Sequence, residues 1–193
     1  MVPAPELDVH AFWPRSIANG PGQRAVIWLQ GCTLGCPGCF NPETHARGTS
    51  GGRRPVSEVS QKILELGDTI EGITLTGGEP LQQPHGILTF LRELRARREL
   101  SIVLFSGYTH EEIGEIPEGS AILDFVDVLI DGRYIESQRI ARGLRGSSNQ
   151  RVHLLTSRYT LGEIEATAAG EVRIAAGGEV RVTGVRPLEL TED

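Results

Sequence analysis

Short apolar runs ended by glycine alternate along this chain with longer stretches whose apolar residues recur at helical spacing. Residues 25–31 (AVIWLQG) predict a buried strand stopped by Gly31. A polar, Gly-rich connection over 47–54 follows. Ser57 then offers an N-cap, and Val59, Ile63, Leu64 and Leu66 form one apolar stripe, predicting a helix that stops at Gly67. Residues 73–76 predict a second strand running into Gly77-Gly78. Ile87, Leu88, Leu91 and Leu94 predict a second helix over 87–100. A third strand over 101–105 ends at Ser106-Gly107, and a short helix follows Thr109, with Glu111 and Glu112 at its positive end. Residues 125–130 predict a fourth strand ended by Asp131-Gly132, and 151–155 a fifth.

Strands alternating with helices predict βαβ units and a mainly parallel α/β sheet. Ligands of such sheets sit at the carboxyl ends of the strands. Cys32, the Gly77-Gly78-Glu79 turn, Ser106-Gly107 and Asp131 all fall on that rim. After Ser157 the pattern changes. Residues 171–183 alternate apolar and polar on both sides of Gly177-Gly178, the signature of a β-hairpin. The chain therefore divides into a domain over 1–156 and an appendage over 157–193. Val172, Ile174, Val180 and Val182 give the hairpin one apolar face, expected to pack on the main domain because an isolated hairpin is marginal in water.

With 193 residues the chain suits one domain plus an appendage. It is too short for a complete eight-stranded α/β barrel of about 250 residues. Nineteen Lys and Arg against 25 Asp and Glu give a net charge of −6, which offers no global attraction to nucleic acid or anionic membrane. No apolar run reaches the ~18–20 residues of a membrane span, and residues 1–8 lack a basic and an apolar region of a secretory signal, so the cytoplasm is the expected location.

The three cysteines lie in one loop, Cys32-Thr-Leu-Gly-Cys36-Pro-Gly-Cys39. Three chemistries compete there. Cys36-Pro-Gly-Cys39 could be a redox dithiol, which leaves Cys32 unused. His45 could complete a Cys3His zinc site. Three thiolates could instead hold an iron–sulfur cluster, which normally takes four ligands, so that one iron stays open to an exogenous chelate. The five histidines lie far apart in the sequence and form no ligand pattern.

The Cys32-x3-Cys36-x2-Cys39 loop followed by Gly77-Gly78-Glu79-Pro80 resembles the radical S-adenosylmethionine (SAM) superfamily. Further segments are similar to the activating enzymes of anaerobic (class III) ribonucleoside-triphosphate reductases. They are Asn19-Gly-Pro-Gly-Gln-Arg24, Cys36-Pro-Gly-Cys39-Phe-Asn-Pro-Glu43, Asp127-Val-Leu-Ile-Asp-Gly-Arg133 and Arg145-Gly-Ser-Ser-Asn-Gln150. The resemblance spans about residues 12–155 and leaves out the hairpin. It implies a partial (β/α) barrel of the radical SAM type. It implies a [4Fe–4S] cluster on Cys32, Cys36 and Cys39, with SAM on the open iron cleaved reductively to methionine and a 5′-deoxyadenosyl radical. Gly77, Gly78, Glu79 and Pro80 would receive the SAM ammonium. Ser106 and Tyr108 would touch the cofactor, Asp131 the ribose, Arg133 the carboxylate, and Ser148 or Asn149 another part of SAM. Phe40 would pack on adenine or the cluster. A side chain at Gly78 is expected to block SAM while sparing the cluster. The implied partners are a glycyl-radical enzyme of the anaerobic ribonucleotide reductase type and a flavodoxin or ferredoxin electron donor. The alternative is a stand-alone radical SAM enzyme acting on a peptide or small molecule. Gly38 stands where many radical SAM enzymes carry an aromatic, and Asn19 where many glycyl-radical activases carry Asp.

Overall fold

The computed structural model describes residues 4–46, 52–174 and 177–185, so most of the Gly-rich connection, residues 47–51, lies outside the described residues. Strand β1 (Glu6–Ser16) pairs antiparallel with β2 (Arg24–Leu29). No strand is predicted at β1 from the sequence. Asp8 and His10 fall within its span and Pro14 breaks its pattern, so burial of Leu7 and Trp13 has to come from tertiary contacts. Every residue of β2 is buried, as in a strand covered on both faces. Strand β3 (Arg53–Pro55) pairs with the start of β1 and passes directly into α1 (Val56–Leu64). The helix therefore starts one residue before the expected Ser57 cap. Pro55 is its N-cap, and the Val56 amide donates instead to the Pro5 carbonyl at 3.0 Å.

Then come β4 (Gly72–Gly77), α2 (Pro84–Arg95), β5 (Ser101–Phe105) and α3 (His110–Glu115). Helix α3 opens on a capping box between Thr109 and Glu112, which satisfies amides that have no partner inside the helix. The five-residue α4 (Gly119–Leu123) leads to β6 (Val128–Asp131). A ribbon of β7 (Arg139–Arg142) and β8 (Arg145–Ser147), strand β9 (Arg151–Leu154) and α5 (Leu161–Glu165) follow. The chain then forms the hairpin β10 (Glu171–Ile174) and β11 (Val180–Thr183), whose connection includes residues 175 and 176 outside the described set.

The main sheet has the order β3-β1-β2-β4-β5-β6-β9. Its four central strands β2, β4, β5 and β6 are parallel. Both flanks are antiparallel, including β9, the predicted fifth strand, so the sheet is mainly parallel as expected. The reason for the direction of β9 is the connection: between β6 and β9 the chain makes the β7–β8 ribbon rather than a crossover helix.

Alternation along the central strands sorts two environments. Ile27, Ile73, Leu75, Ile102 and Leu104 face α1 and α2, where Ile63, Ile87 and Leu91 complete a core that excludes water. On the opposite face Trp13 meets Trp28 edge-on at 5.5 Å, and Val103, Val128 and Ile130 pack with Leu144 and Ile164. Helices α1 and α2 thus cover one face and leave a hollow on the other. Beneath it, the fully buried Arg24 donates to Thr74, to Ser101 and to the Tyr159 hydroxyl, tying the amino ends of three strands to the segment after β9.

Candidate active site

The cysteine loop is fastened at both ends by backbone. Gly31 turns the chain out of β2 with φ +100°. Its amide donates to the Thr44 carbonyl at 2.7 Å, and the Cys32 amide to the His45 carbonyl at 3.0 Å, which closes the loop on itself. From the neighbouring strand the Gly78 amide donates to the Leu29 carbonyl at 2.8 Å and the Glu79 amide to the Gly31 carbonyl at 2.9 Å. This approach needs glycine. A Cβ on Gly77, whose φ is +98°, would lie 2.6 Å from the Leu29 nitrogen, and one on Gly78 would lie 2.5 Å from the Gly31 oxygen. Both are inside van der Waals contact. The double glycine therefore locks the β4 turn onto the residue preceding Cys32. A side chain at Gly78 would push on the cysteine loop itself, contrary to the expectation that the cluster would be spared.

Glu79 is 1% exposed and its carboxylate accepts from the Leu81 amide at 3.0 Å, the Ser106 hydroxyl at 2.9 Å and the Gly107 amide at 2.8 Å. It staples the β4 turn to the β5 turn. Burial pushes its carboxyl up to about 7, against the pull of those hydrogen bonds and of the Arg133 charge. Pro80 is buried behind it as the first residue of a helical turn that Glu79 caps. Gln82 reaches back to Thr33 and to the Tyr108 hydroxyl, so the cysteine loop is held from this side too.

Cys32, Cys36 and Cys39 line a cleft of about 130 Å³ together with Gly77, Gly78 and Glu79. Ser106 and Gly107 close one end, and Gly132, Tyr134 and Gln150 another. The sequence-based choices at that end were Asp131, Arg133 and Asn149, the immediate neighbours of the residues that line it. Gly132, with φ +97°, turns the chain at the end of β6, so neighbouring side chains leave it in different directions. Asp131 is buried with its Oδ2 accepting from the His110 amide at 2.6 Å. The His153 Nε2 lies 3.1 Å from the same oxygen but without hydrogen-bond alignment. Histidines 110 and 153, distant in sequence, stack at 5.1 Å. Arg133 forks onto Glu112 at 2.8 and 3.1 Å and covers the Tyr108 ring. The Asn149 amide donates to the Arg133 carbonyl at 2.8 Å, while Ser148 turns to Gln138. Tyr134 and Gln150 carried no sequence signal beyond their place beside the Asp131-Gly132 and Ser148-Asn149 turns.

All three thiols are free and partly exposed. Burial pushes the Cys32 and Cys39 thiols up, and the neighbouring cysteines reinforce the shift. Among the described residues no three His, Cys, Asp or Glu side chains converge to chelate one ion, so the zinc site with His45 has no assembled ligand set. Three thiols spaced around one cleft suit a cluster, in which each iron takes one thiolate. Phe40 follows Cys39 and packs against Tyr134 with ring centroids 4.7 Å apart.

Phe40, Asn41, Thr76, Phe105, Tyr134 and Gln150 also line the hollow on the sheet face opposite α1 and α2. That hollow measures about 310 Å³ and is walled further by Trp13, Trp28 and Asn19. Another part of its wall is Val182, Thr183, Gly184 and Val185, at the base of the hairpin.

The chain matches the family described as a 4Fe-4S single cluster domain over residues 18–153. It is 33% identical over 159 residues to the anaerobic ribonucleoside-triphosphate reductase-activating protein of Vibrio cholerae, a match covering 78% of this chain and 99% of that one. The protein of the same name from Escherichia coli K12 is 35% identical over 156 residues, covering 77% and 99%. That of phage T4 is 37% identical over 151 residues, covering 76% and 93%. QueE from Escherichia coli superposes with a TM-score of 0.44 at 20% identity over 54% of each chain. Matched over nearly the whole length of such relatives, with its three cysteines in one cleft, the chain belongs to the anaerobic ribonucleoside-triphosphate reductase-activating protein family of radical SAM enzymes, which use a [4Fe–4S] cluster and SAM.

Proposed function

We propose that this protein generates a glycyl radical on an anaerobic ribonucleotide reductase partner, with Cys32, Cys36 and Cys39 as the ligands of the cluster. The observation that carries the reading is the junction of the cysteine cleft with the larger hollow, across the shared wall of Thr76, Phe105 and Tyr134. When bound, the cluster and SAM supply one-electron cleavage of the sulfonium and a hydrogen-abstracting 5′-deoxyadenosyl radical. The chain's own residues do the rest. Gly77, Gly78, Glu79 and Pro80 shape the SAM amino-acid site, and Ser106 fixes the Glu79 carboxylate. Gln150, Tyr134 and Phe40, which line both the cleft and the hollow, would flank the bound nucleoside. Asp131, Arg133 and Asn149 position that wall from behind. Trp13, Trp28 and Phe105, which wall the hollow, would exclude water from the reacting groups.

The same reading takes the sheet as the wall of a partial barrel whose open side admits a loop of the partner. Residues 1–156 are its catalytic part and 157–193 its appendage, joined where Tyr159 meets Arg24 and Ile164 enters the core. The electron donor is a flavodoxin or ferredoxin, and the setting is the cytoplasm, where thiols stay reduced. Among the described residues no helix is long and apolar enough to cross a membrane. The test is anaerobic reconstitution with iron and sulfide, then incubation with SAM, reductant and the reductase. Electron paramagnetic resonance should then detect a glycyl radical on the reductase. SAM cleavage with no radical on the reductase would instead point to a peptide or small-molecule substrate.

A further inference from the structure

The hairpin lies beyond the family match, which ends at residue 153. The relatives are covered over 99% of their length by 77–78% of this chain, so radical chemistry common to the family does not need it. Its orientation is the reverse of the expected one. The polar face is turned inward: the Glu171 carboxylate accepts from the Ser16 hydroxyl at 2.7 Å and the Ile17 amide at 3.0 Å, and the Thr183 hydroxyl accepts from the Asn19 amide at 3.1 Å. Of the apolar face, Val172, Ile174 and Val180 are 37%, 73% and 44% exposed, and only Val182 turns into the hollow. Ile17, on the loop that Glu171 grips, is 53% exposed. These are four of the seven large apolar side chains exposed among the described residues, three on the hairpin and one on the β1–β2 loop that Glu171 holds. Single exposed apolar residues need no explanation, but a contiguous group marks a contact surface.

Resting on the function proposed above, we infer that the outer face of the hairpin, with Ile17, is the landing surface for an apolar segment of the glycyl-radical partner beside its glycine loop. Continuity argues for this occupant over a second copy of the chain. The base of the same hairpin, through Val182, Thr183, Gly184 and Val185, walls the hollow that the glycine must enter. A partner seated on Ile174 and Val180 therefore delivers its loop along the hairpin into the site. The hairpin adds affinity and selects the partner, while the cleft cleaves SAM without it.

The test uses the reconstituted full-length protein carrying Ile174→Ser and Val180→Ser, with the anaerobic reductase of the same organism as probe. Both positions are exposed, so folding and 5′-deoxyadenosine formation without the reductase should match wild type. The reductase concentration giving half-maximal glycyl radical should rise about tenfold, as expected when two apolar side chains leave an interface. Direct binding measured by interferometry should weaken equally. An unchanged half-saturation and unchanged binding would overturn the docking role. So would a variant that loses only self-association in sedimentation, which would assign the face to a second copy. A wild-type protein that binds the reductase but forms no radical would defeat the proposed function and leave the binding comparison able to judge the surface.

Discussion

The turn after β4 and the hairpin at β10–β11 are both short β structures punctuated by glycine, yet they are held in opposite ways. Around Gly31, Gly77 and Gly78 the backbones touch directly, and Glu79 fastens three further groups. At the hairpin, an inward-facing carboxylate and hydroxyl do the tethering, and neither Gly177 nor Gly178 has an atom within 4 Å of where a Cβ would stand. A site that must hold reactive groups to fractions of an ångström is built from mutually constraining contacts. An element that meets a partner needs only to be aimed. The loosely held region is also the one that carries exposed apolar surface, which tight packing would have buried.

The contrast predicts effects that shrink from the first region to the second. Cys36→Ala should abolish the visible absorption of the cluster and all 5′-deoxyadenosine formation; retained SAM cleavage would sink the ligand assignment. Gly78→Val should come next. Its side chain meets the Gly31 carbonyl, so iron content and SAM binding should fall together in a still-folded protein, read by iron assay and calorimetry. Loss of SAM binding with full iron loading would show that the turn acts on SAM alone.

Glu79 gives a third, pH-dependent outcome. Its folded-state pKa near 7 stands above the ~4.3 of a glutamate in an unfolded chain. Between those values the folded protein binds a proton that the unfolded chain does not, so this group's contribution is most favourable below about 4 and is lost as pH rises through 7. The loss is on the order of 3 kcal/mol. Urea titrations of cluster-free protein should show stability falling from pH 5 to about 7.5, and Glu79→Gln should flatten that fall. Equal slopes would assign the pH dependence elsewhere. Smallest is the hairpin tether: Glu171→Ala removes the acceptor for Ser16 and Ile17 and should cost about 1–2 kcal/mol. Limited proteolysis should speed up at the hairpin while the thermal midpoint of the main body barely moves.

The hairpin shows how much was legible and where legibility stopped. Its strands and pairing follow from alternation around Gly177-Gly178, and β10 pairs β11 as that pattern requires. Which face would turn inward did not follow, because Glu171 outcompetes Val172 and Ile174 only through the Ser16 hydroxyl and the free Ile17 amide, more than 150 positions away in the chain. The cleft repeats the lesson on a smaller scale. The Cys32, Gly77 and Ser106 segments announce themselves, since few residue types can form such turns. Asp131 and Arg133 announce themselves equally, yet Gly132 and Tyr134 line the wall. Local pattern names the turn, but not which of its residues lines the cleft.

By itself the sequence determined the four parallel strands, the helices covering their outer face and the glycines at their carboxyl ends, because periodicity and turn chemistry are local properties. It also determined the three-cysteine spacing and the family that goes with it. Only the tertiary structure decided that β1 exists, that β9 runs antiparallel and that Glu79 is consumed in stapling two turns. It also decided that the hairpin shows Val172, Ile174 and Val180 to solvent. Each of these depends on a partner far away in the chain, and a contact between distant residues leaves no period in the sequence to be read.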